Sequence, residues 1–219
     1  MTLAIFDLDG TLLSGDSDYN WGQFLVEEGI VDASTYKAAN DKFYQDYLSG
    51  KLDIYEYLAF SLAPLTEFNQ TQLSDLHAQF MTKKIMPMMQ EKAIDLIKKH
   101  RDQGHFLMII TATNEFVTGP ISQYLGMDHL IAPMPEIKDG KYTGGITGIP
   151  SFQDGKVTRL KAWLEETGNS LEDSYFYSDS HNDLPLLELV SHPIIVDADE
   201  KLTQVATQKG WLNISLRDS

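Results

Sequence analysis

The stretch AIFDLDGTLLSGDS, residues 4–17, decides the fold because it joins an apolar run to two acids and a glycine. A four-residue apolar run such as Leu3–Phe6 is typical of a buried parallel strand. If the strand geometry continues, Asp7 and Asp9 project to the same side, and Gly10 lets the backbone turn sharply. Such crowding indicates either ordinary Asp-Gly turn chemistry or a divalent cation that offsets the repulsion.

The later part of the chain alternates strand-like and helix-like segments. This alternation predicts an α/β fold, a doubly wound Rossmann-like parallel sheet, in which functional sites lie at the carboxyl ends of the strands. The further predicted strands are 106–110, 175–177 and 194–196, and the predicted helices are 93–100, 116–125, 157–164, 184–190 and 202–209.

Residues 16–80 follow a different pattern, with apolar residues at helical spacing and no strand-like run. We interpret this segment as an inserted all-helical cap domain of about four helices, and residues 1–15 with 81–219 as the core domain. A second excursion, residues 134–148, has Asp139-Gly140 between two extended runs, which predicts a β-hairpin.

The composition excludes several classes of partner. With 17 basic and 32 acidic residues, the net charge of −15 disfavours nucleic acid and anionic membranes. There is no cysteine, so disulfides and thiolate metal sites are excluded. No secretory signal precedes the first motif and no apolar run could span a bilayer, so we expect a cytoplasmic protein. The oligomeric state cannot be predicted.

A second acidic group follows another predicted strand, in the stretch YSDSHNDLPLLE. Asp179 comes directly after the strand, and Asp183 lies four residues later, on the same face if a helix begins here. A helix-capping role for Asp179 is the alternative. Acids at the carboxyl ends of different strands favour a magnesium site.

Two further residues could bind a phosphate. Thr111 follows the strand FLMII and could donate its hydroxyl and its backbone N–H to a phosphate oxygen. Either Thr111 or Thr113 could instead be a simple N-cap. Lys156, in QDGKVTRLKAW, supplies a positive charge if it is not a solvated surface lysine.

The order FDLDGT, ITAT, GKVTRL and YSDSHND resembles the four motifs of haloacid dehalogenase-like (HAD) phosphatases. The helical insertion is similar to the cap of the subfamily that contains phosphoserine phosphatases. The stretches LLSGDSDYNWGQFL, TATNEFVTGPI and FQDGKVTRLKAWL resemble HAD-type histidinol-phosphatases more closely, over nearly the whole chain.

The resemblance implies a mechanism for a magnesium-dependent phosphatase. Asp7 would attack phosphorus and form an aspartyl-phosphate. Asp9 would act as general acid and then as general base. The resemblance also implies that Mg²⁺ is held by Asp7, the backbone carbonyl of Asp9 and Asp179, with Asp183 in support, while Thr111 and Lys156 bind the phosphate.

The composition of residues 16–80 bears on the leaving group of the substrate. The segment holds eleven acids, three lysines, no arginine and twelve of the 23 aromatic residues. An acidic, aromatic pocket suits a cationic, ring-bearing alcohol phosphate such as histidinol phosphate. The absence of an arginine to grip a carboxylate argues against phosphoserine. These residues could also be merely solvated acids and core aromatics.

Asp16 is the cap residue with the clearest candidate role. It lies nine positions after Asp7, where the related phosphoserine phosphatases carry a glutamate that contacts the substrate amine. An N-cap role for Asp16 is the alternative.

Three other functions are compatible with parts of this pattern. One is a phosphoserine phosphatase, and another is a phosphotransferase that passes the phosphoryl group to an alcohol rather than to water. The third, from a different class, is a phosphate-accepting signalling receiver module. Asp9 and the large insertion disfavour the receiver module.

Overall fold

The computed structural model describes residues 1–217 and contains one large parallel sheet and one small hairpin. The large sheet has the strand order β3-β2-β1-β6-β7-β8, and each neighbouring pair is parallel. The strands are β1 (Leu3–Phe6), β2 (Phe106–Ile110), β3 (His129–Ile131), β4 (Met134–Lys138), β5 (Lys141–Thr147), β6 (Tyr175–Ser178), β7 (His192–Val196) and β8 (Leu212–Ile214).

The α-helices of the described residues fall into an inserted group and a sheet-flanking group. Four of them, together with short helical turns, occupy the chain between β1 and α5. The helices are α1 (Ser17–Glu27), α2 (Ala33–Leu48), α3 (Ile54–Leu62), α4 (Gln70–Phe80), α5 (Glu91–Asp102), α6 (Glu115–Tyr124), α7 (Asp154–Thr167), α8 (Leu184–Leu187) and α9 (Glu200–Lys209). The predicted doubly wound parallel sheet is confirmed.

The sheet is buried on both faces, and β1 illustrates how this follows from the alternation of its side chains. Ala4 and Phe6 belong to an apolar cluster that includes residues of α1, α4, α5 and α6. Leu3 and Ile5 belong to a second cluster on the other face, with residues of α7, α8 and α9. Because both faces are covered, the strand is apolar throughout.

The topology places a crevice at the carboxyl end of β1. The chain leaves β1 for β2 and β3 on one side, and later enters β6, β7 and β8 on the other. The order therefore reverses at β1, the position where ligands bind in open α/β sheets. Hydrogen-bonded register aligns Phe6 with Ile109 of β2 and with Tyr177 of β6.

The structure differs from the predictions at three local features, which are two unpredicted strands and the end of one helix. Strands β3 and β8 were not predicted, because these three-residue edge strands carry little apolar pattern. Helix α8 ends at Leu187 and not at residue 190. The hairpin is confirmed: β4 and β5 pair antiparallel around Asp139 and Gly140, both of which have positive φ.

No helix within residues 1–217 is long and apolar enough to cross a membrane.

Candidate active site

The carboxyl ends of β1, β2 and β6 bring together residues that are distant from one another in sequence. Asp7 follows β1, Thr111 follows β2 and Asp179 follows β6. Because the strands are parallel and in register, all three residues leave the sheet at one edge.

Asp7 is buried and forms an ion pair with Lys156. The Lys156 ammonium, only 3% exposed, lies 2.8 Å from Asp7 Oδ1 and 2.8 Å from each carboxylate oxygen of Asp183. The Ser178 hydroxyl also donates to Asp183 Oδ2, at 2.7 Å. Lys156 is therefore a buried partner of two acids, and the alternative of a solvated surface lysine is wrong.

Asp179 is held against the turn that follows β1. The Thr11 hydroxyl donates to Asp179 Oδ1 at 2.9 Å and accepts from the Asp179 N–H at 3.0 Å. A Cβ atom on Gly10 would lie 2.1 Å from Asp179 Oδ2, and Gly10 has a φ of +74°. Only glycine fits this approach. Ser180 and not Asp179 caps the following short helical turn, so the capping alternative for Asp179 is wrong.

Asp9 reaches the site by a different route from the one predicted. Strand β1 ends at Phe6, and residues Leu8–Leu12 form a tight helical turn in which Asp9 and Gly10 have non-helical dihedrals. Asp9 Oδ1 accepts from the Ser17 N–H at 2.6 Å, and Oδ2 accepts from the Thr113 hydroxyl at 2.8 Å. Both carboxylate oxygens of Asp9 thus have protein donors. The prediction that strand alternation places Asp9 here was wrong, because the turn places it.

Thr111 was predicted to offer a phosphate both its hydroxyl and its backbone N–H, but only the hydroxyl is available. Its backbone N–H donates to the Ile131 carbonyl at 3.0 Å, so this group is engaged within the sheet edge. Its hydroxyl accepts from the Thr113 N–H at 3.1 Å and retains its own proton for a further acceptor. Neither threonine caps α6, because Asn114 does, accepting from the Val117 N–H.

The acids in this crevice resist ionisation. Burial raises the pKa of Asp7 well above its usual value despite Lys156, and the charges of Asp183 and Asp179 raise it further. Burial also raises the pKa of Asp9, and it raises the pKa of Asp179 to about 7. Burial lowers the pKa of Lys156, but the charges of Asp183 and Asp7 outweigh that effect, and its pKa is raised.

The donor chemistry of the crevice fits Mg²⁺ as a partial ligand set. Among residues 1–217, no three acidic or histidine side chains converge closely enough to hold a metal by themselves. The carboxylates of Asp7 and Asp179 are hard oxygen donors, and Asp7 is electrostatically destabilised by its acidic neighbours. Mg²⁺ commonly combines one or two carboxylates with phosphate oxygens and water, so a site completed by a backbone carbonyl and substrate is consistent with this geometry.

A pocket opens from the crevice into the helical segment. Its floor is formed by Asp7, Asp9 and residues 111–113. Asp16 and Asp18 of the same pocket lie at the start of α1. Its remaining walls are largely aromatic, and no Lys or Arg lines it in the described part of the chain; these wall residues are Tyr19, Asn40, Phe43, Tyr44, Tyr47, Leu52, Ile54 and Tyr57.

Asp16 is an N-cap residue that also lies in the pocket wall. Its Oδ1 accepts from the Tyr19 N–H at 2.7 Å, so it is the N-cap of α1. It also lines the pocket. Burial, followed by the charge of Asp9, raises its pKa well above the usual value.

Four polar residues of the site were missed by sequence reasoning. Thr11 lies inside the first motif, and its position directly after Gly10 was an available signal. Ser178 was not singled out although its partner Asp183 lies only five residues later, and Asp18 gave no signal because the pocket that it lines is built from distant segments. Thr113 was considered only as a cap, yet its hydroxyl contacts Asp9.

The chain is similar to known proteins of one family. The family model described as haloacid dehalogenase-like hydrolase matches residues 4–188. The chain is 45% identical over 213 residues to a histidinol-phosphatase of Neisseria meningitidis serogroup C, strain 8013. The match covers 95% of this chain and 96% of that protein.

Solved structures share the fold. A protein of unknown function from Bordetella pertussis Tohama I superposes with a TM-score of 0.93 at 42% identity, covering 99% of this chain and 100% of that one. A substrate-bound phosphoserine phosphatase superposes with a TM-score of 0.70 at 21% identity, covering 97% and 92%. At that identity, the second likeness concerns the fold alone.

Proposed function

The chain belongs to the haloacid dehalogenase-like hydrolase family and is a phosphatase, and we propose that it is a magnesium-dependent histidinol-phosphatase. The reaction would hydrolyse histidinol phosphate to histidinol, a step of histidine biosynthesis. The observation that carries the choice of substrate is the pocket above Asp7 and Asp9, which is acidic, aromatic and free of lining Lys or Arg within residues 1–217. The similarity to the Neisseria meningitidis histidinol-phosphatase supports the same choice.

Asp7 is the proposed nucleophile. Its carboxylate would attack phosphorus, form an aspartyl-phosphate and expel the alcohol, which divides one difficult displacement into two steps. The hydrogen bond from Lys156 to Asp7 Oδ1 supports this role, because it favours the ionised carboxylate against the effect of burial. Asp183 would position Lys156 through both of its carboxylate oxygens.

Asp9 is the proposed general acid and base. It would protonate the leaving alkoxide and later accept a proton from the water that hydrolyses the intermediate. Burial raises its pKa and so favours the protonated form that a general acid needs, and the donors Ser17 N–H and Thr113 Oγ1 hold the carboxyl group in one orientation. The hydroxyl of Thr111 and the ammonium of Lys156 would bind the phosphate oxygens.

We propose Mg²⁺ as the cofactor, held by the Asp7 carboxylate, the Asp9 carbonyl and Asp179, with Asp183 in support. When bound, the cation would neutralise the repulsion between an anionic nucleophile and an anionic ester. The protein's own contribution is the placement of Asp179, which Thr11 and the close approach of Gly10 hold beside the first motif.

We further propose that residues 16–80 act as a cap domain over a core made of residues 1–15 and 81–219. The helices of this segment supply most of the pocket wall, whereas the crevice residues follow strands of the sheet. Under this division the cap selects the alcohol and the core performs the phosphoryl transfer.

Parallel rate measurements test the substrate. The purified protein with Mg²⁺ is assayed for phosphate release from histidinol phosphate, phosphoserine and a panel of phosphorylated metabolites. We expect kcat/KM for histidinol phosphate to exceed that for phosphoserine by at least about 10²-fold, because no lining cation would pair with the phosphoserine carboxylate. A preference for phosphoserine would overturn the proposed substrate.

The same assay separates the remaining alternatives. Sustained turnover of a small ester excludes a receiver module, since such a module accepts phosphate without hydrolysing metabolites. Adding alcohols and measuring transferred as well as free phosphate distinguishes a phosphotransferase from a hydrolase.

A further inference from the structure

Asp18 is a buried acid of the pocket that the proposed chemistry does not use. It lies in the first turn of α1, is only 4% exposed and lines the pocket above Asp7 and Asp9. Neither of its carboxylate oxygens makes a hydrogen bond of normal geometry to a described residue. The Tyr57 hydroxyl interacts with this carboxylate but does not outweigh its burial, so a further donor from outside the chain would stabilise it.

The crevice acids differ from Asp18 in this respect. Asp7 and Asp183 share the Lys156 ammonium, Asp179 accepts from Thr11, and Asp9 has two donors. The acids at the proposed phosphate end of the site (Asp7, Asp9, Asp179 and Asp183) therefore have protein donors, whereas Asp18, at the proposed leaving-group end, has none of normal hydrogen-bond geometry among the described residues.

None of the three lysines of residues 16–80 lines the pocket beside Asp18. Lys37 and Lys42 form exposed ion pairs with Asp41 and Asp46, at 2.6 Å and 2.7 Å. Asp18 is instead surrounded by aromatic pocket walls, and the hydroxyl of Tyr57 partly offsets the effect of burial, which raises the pKa of Asp18 to about 7.

A purely structural role for Asp18 does not account for its position. An acid in the first turn of a helix interacts favourably with the helix dipole. That interaction is available to an exposed side chain, and Asp16 already caps α1. Burial against the pocket adds a desolvation cost that a dipole role does not require.

We propose that Asp18 is a specificity-determining residue that accepts a hydrogen bond from the ring N–H of the substrate's imidazole group. This assignment rests on the proposed histidinol phosphate activity. In that substrate the ammonium group is on the carbon next to the ester methylene, and the ring lies one carbon further away. Asp16 and Asp18 both line the pocket above Asp9, and in this assignment Asp16 takes the ammonium and Asp18 the ring.

The aromatic walls suit the same end of the substrate. Tyr57 and Phe43 line the pocket together with Asp18, and flat side chains can contact the faces of an imidazole ring. A carboxylate beside aromatic faces recognises a flat ring that carries an N–H, and it disfavours a flat ring that carries none.

The test compares two amino alcohols that share an ammonium group and differ in the ring. Histidinol has an imidazole ring, and phenylalaninol has a phenyl ring with no N–H. Calorimetry measures the affinity of each for the wild-type protein, Asp18→Asn, Asp18→Leu and the control Asp75→Asn, all in buffer with Mg²⁺. Asp75 is an exposed acid of α4, so the control removes the same charge from the same segment.

We expect Asp18→Asn to weaken histidinol binding by at least about 10-fold, and Asp18→Leu to weaken it further because Asn can still accept a hydrogen bond. Neither change should weaken phenylalaninol binding, and Asp75→Asn should alter neither affinity. Thermal melting of each variant establishes that it is folded.

Two results would overturn the assignment. Histidinol binding equal to wild type in both Asp18 variants would remove Asp18 from recognition. An equal loss for both alcohols would place the ammonium and not the ring at Asp18. Failure of the proposed function is seen separately, because it would leave the wild-type protein unable to release phosphate from histidinol phosphate.

Discussion

The proposed phosphate end of the site, around Asp7, and the proposed leaving-group end, around Asp18, differ in how their acids are hydrogen-bonded. At the phosphate end, every acid has a donor: Lys156 lies between Asp7 and Asp183, and Thr11 holds Asp179. At the leaving-group end, Asp18 is buried without a hydrogen bond of normal geometry to a described residue. Protein donors therefore fix the orientation of the acids at the phosphate end. An acid without such donors remains able to accept a hydrogen bond from a ligand, but its burial destabilises the folded protein.

Replacing the nucleophile tests the phosphate end most directly. We expect Asp7→Asn to lower kcat/KM for histidinol phosphate by at least about 10⁴-fold, because an amide cannot form the acyl-phosphate. Phosphate release gives the rate, and far-ultraviolet circular dichroism checks the fold. The exposed Asp95→Asn on α5 is the matched control. Turnover of Asp7→Asn within tenfold of wild type would remove Asp7 from the mechanism.

Metal removal tests whether the crevice acids act through a cation. Treatment with a chelator should reduce the rate to below about 1% of its initial value, and added Mg²⁺ should restore it, because the acids alone repel an anionic ester. Rates before chelation, after it and after Mg²⁺ addition give the answer. Full activity in the metal-free protein would contradict the proposal.

Replacing Lys156 tests how much its ion pairs stabilise the phosphate end of the site. We expect Lys156→Met to lower the free energy of unfolding by about 3–5 kcal/mol, because Asp7 and Asp183 would be left buried without their cation. Activity should fall by about 10²-fold or more.

Urea unfolding provides the measurement for this pair of variants. The control is Lys209→Met, which breaks an exposed ion pair with Glu188 and should cost less than about 1 kcal/mol. Equal losses in the two variants would mean that the buried lysine is no more important to stability than the surface one.

At the leaving-group end, by contrast, we expect a substitution to raise the free energy of unfolding. Asp18→Asn should raise the free energy of unfolding at pH 8 by about 1–3 kcal/mol, because it removes a buried charge whose desolvation the Tyr57 hydroxyl only partly offsets. The pKa of Asp18 is about 7 in the folded protein and 3.8 in the absence of burial. The folded state therefore binds more protons between these values, and the wild-type protein loses stability as pH rises.

Urea unfolding at several pH values measures this difference. The advantage of Asp18→Asn should be small near pH 4, grow up to about pH 7 and stay constant above it. A variant less stable than wild type at pH 8 would mean that Asp18 has a stabilising partner in the folded protein.

The smallest predicted effect is that of removing the Thr113 hydroxyl, which contacts Asp9 at the floor of the pocket. Thr113→Val removes the hydroxyl that donates to Asp9 Oδ2, and we expect kcat to fall by about 10-fold because the carboxylate loses one orienting donor. Thr158→Val, which removes an exposed hydroxyl bonded to the Asp154 carbonyl, is the control. Equal kcat in Thr113→Val and wild type would show that the Ser17 N–H alone orients Asp9.

Much of the fold was predictable because its signals are local. Four strand segments, the helices between them, the helical character of residues 16–80 and the Asp139-Gly140 hairpin follow from periodicity and turn chemistry. The edge strands β3 and β8 were missed because three half-exposed residues leave no such pattern. The position of Asp9 was predicted for the wrong reason, since a tight turn after Phe6 replaces the strand.

The sequence by itself determined which residues lie at the carboxyl edge of the sheet, because Asp7, Thr111 and Asp179 each follow an apolar run that becomes a neighbouring parallel strand. Tertiary structure alone decided how those residues are partnered. It placed Lys156 between two acids, paired the Thr111 N–H with the Ile131 carbonyl and left Asp18 without a hydrogen bond of normal geometry to a described residue. Strand identity depends on neighbours in sequence, whereas a side chain's partner depends on distances between segments that only packing brings together.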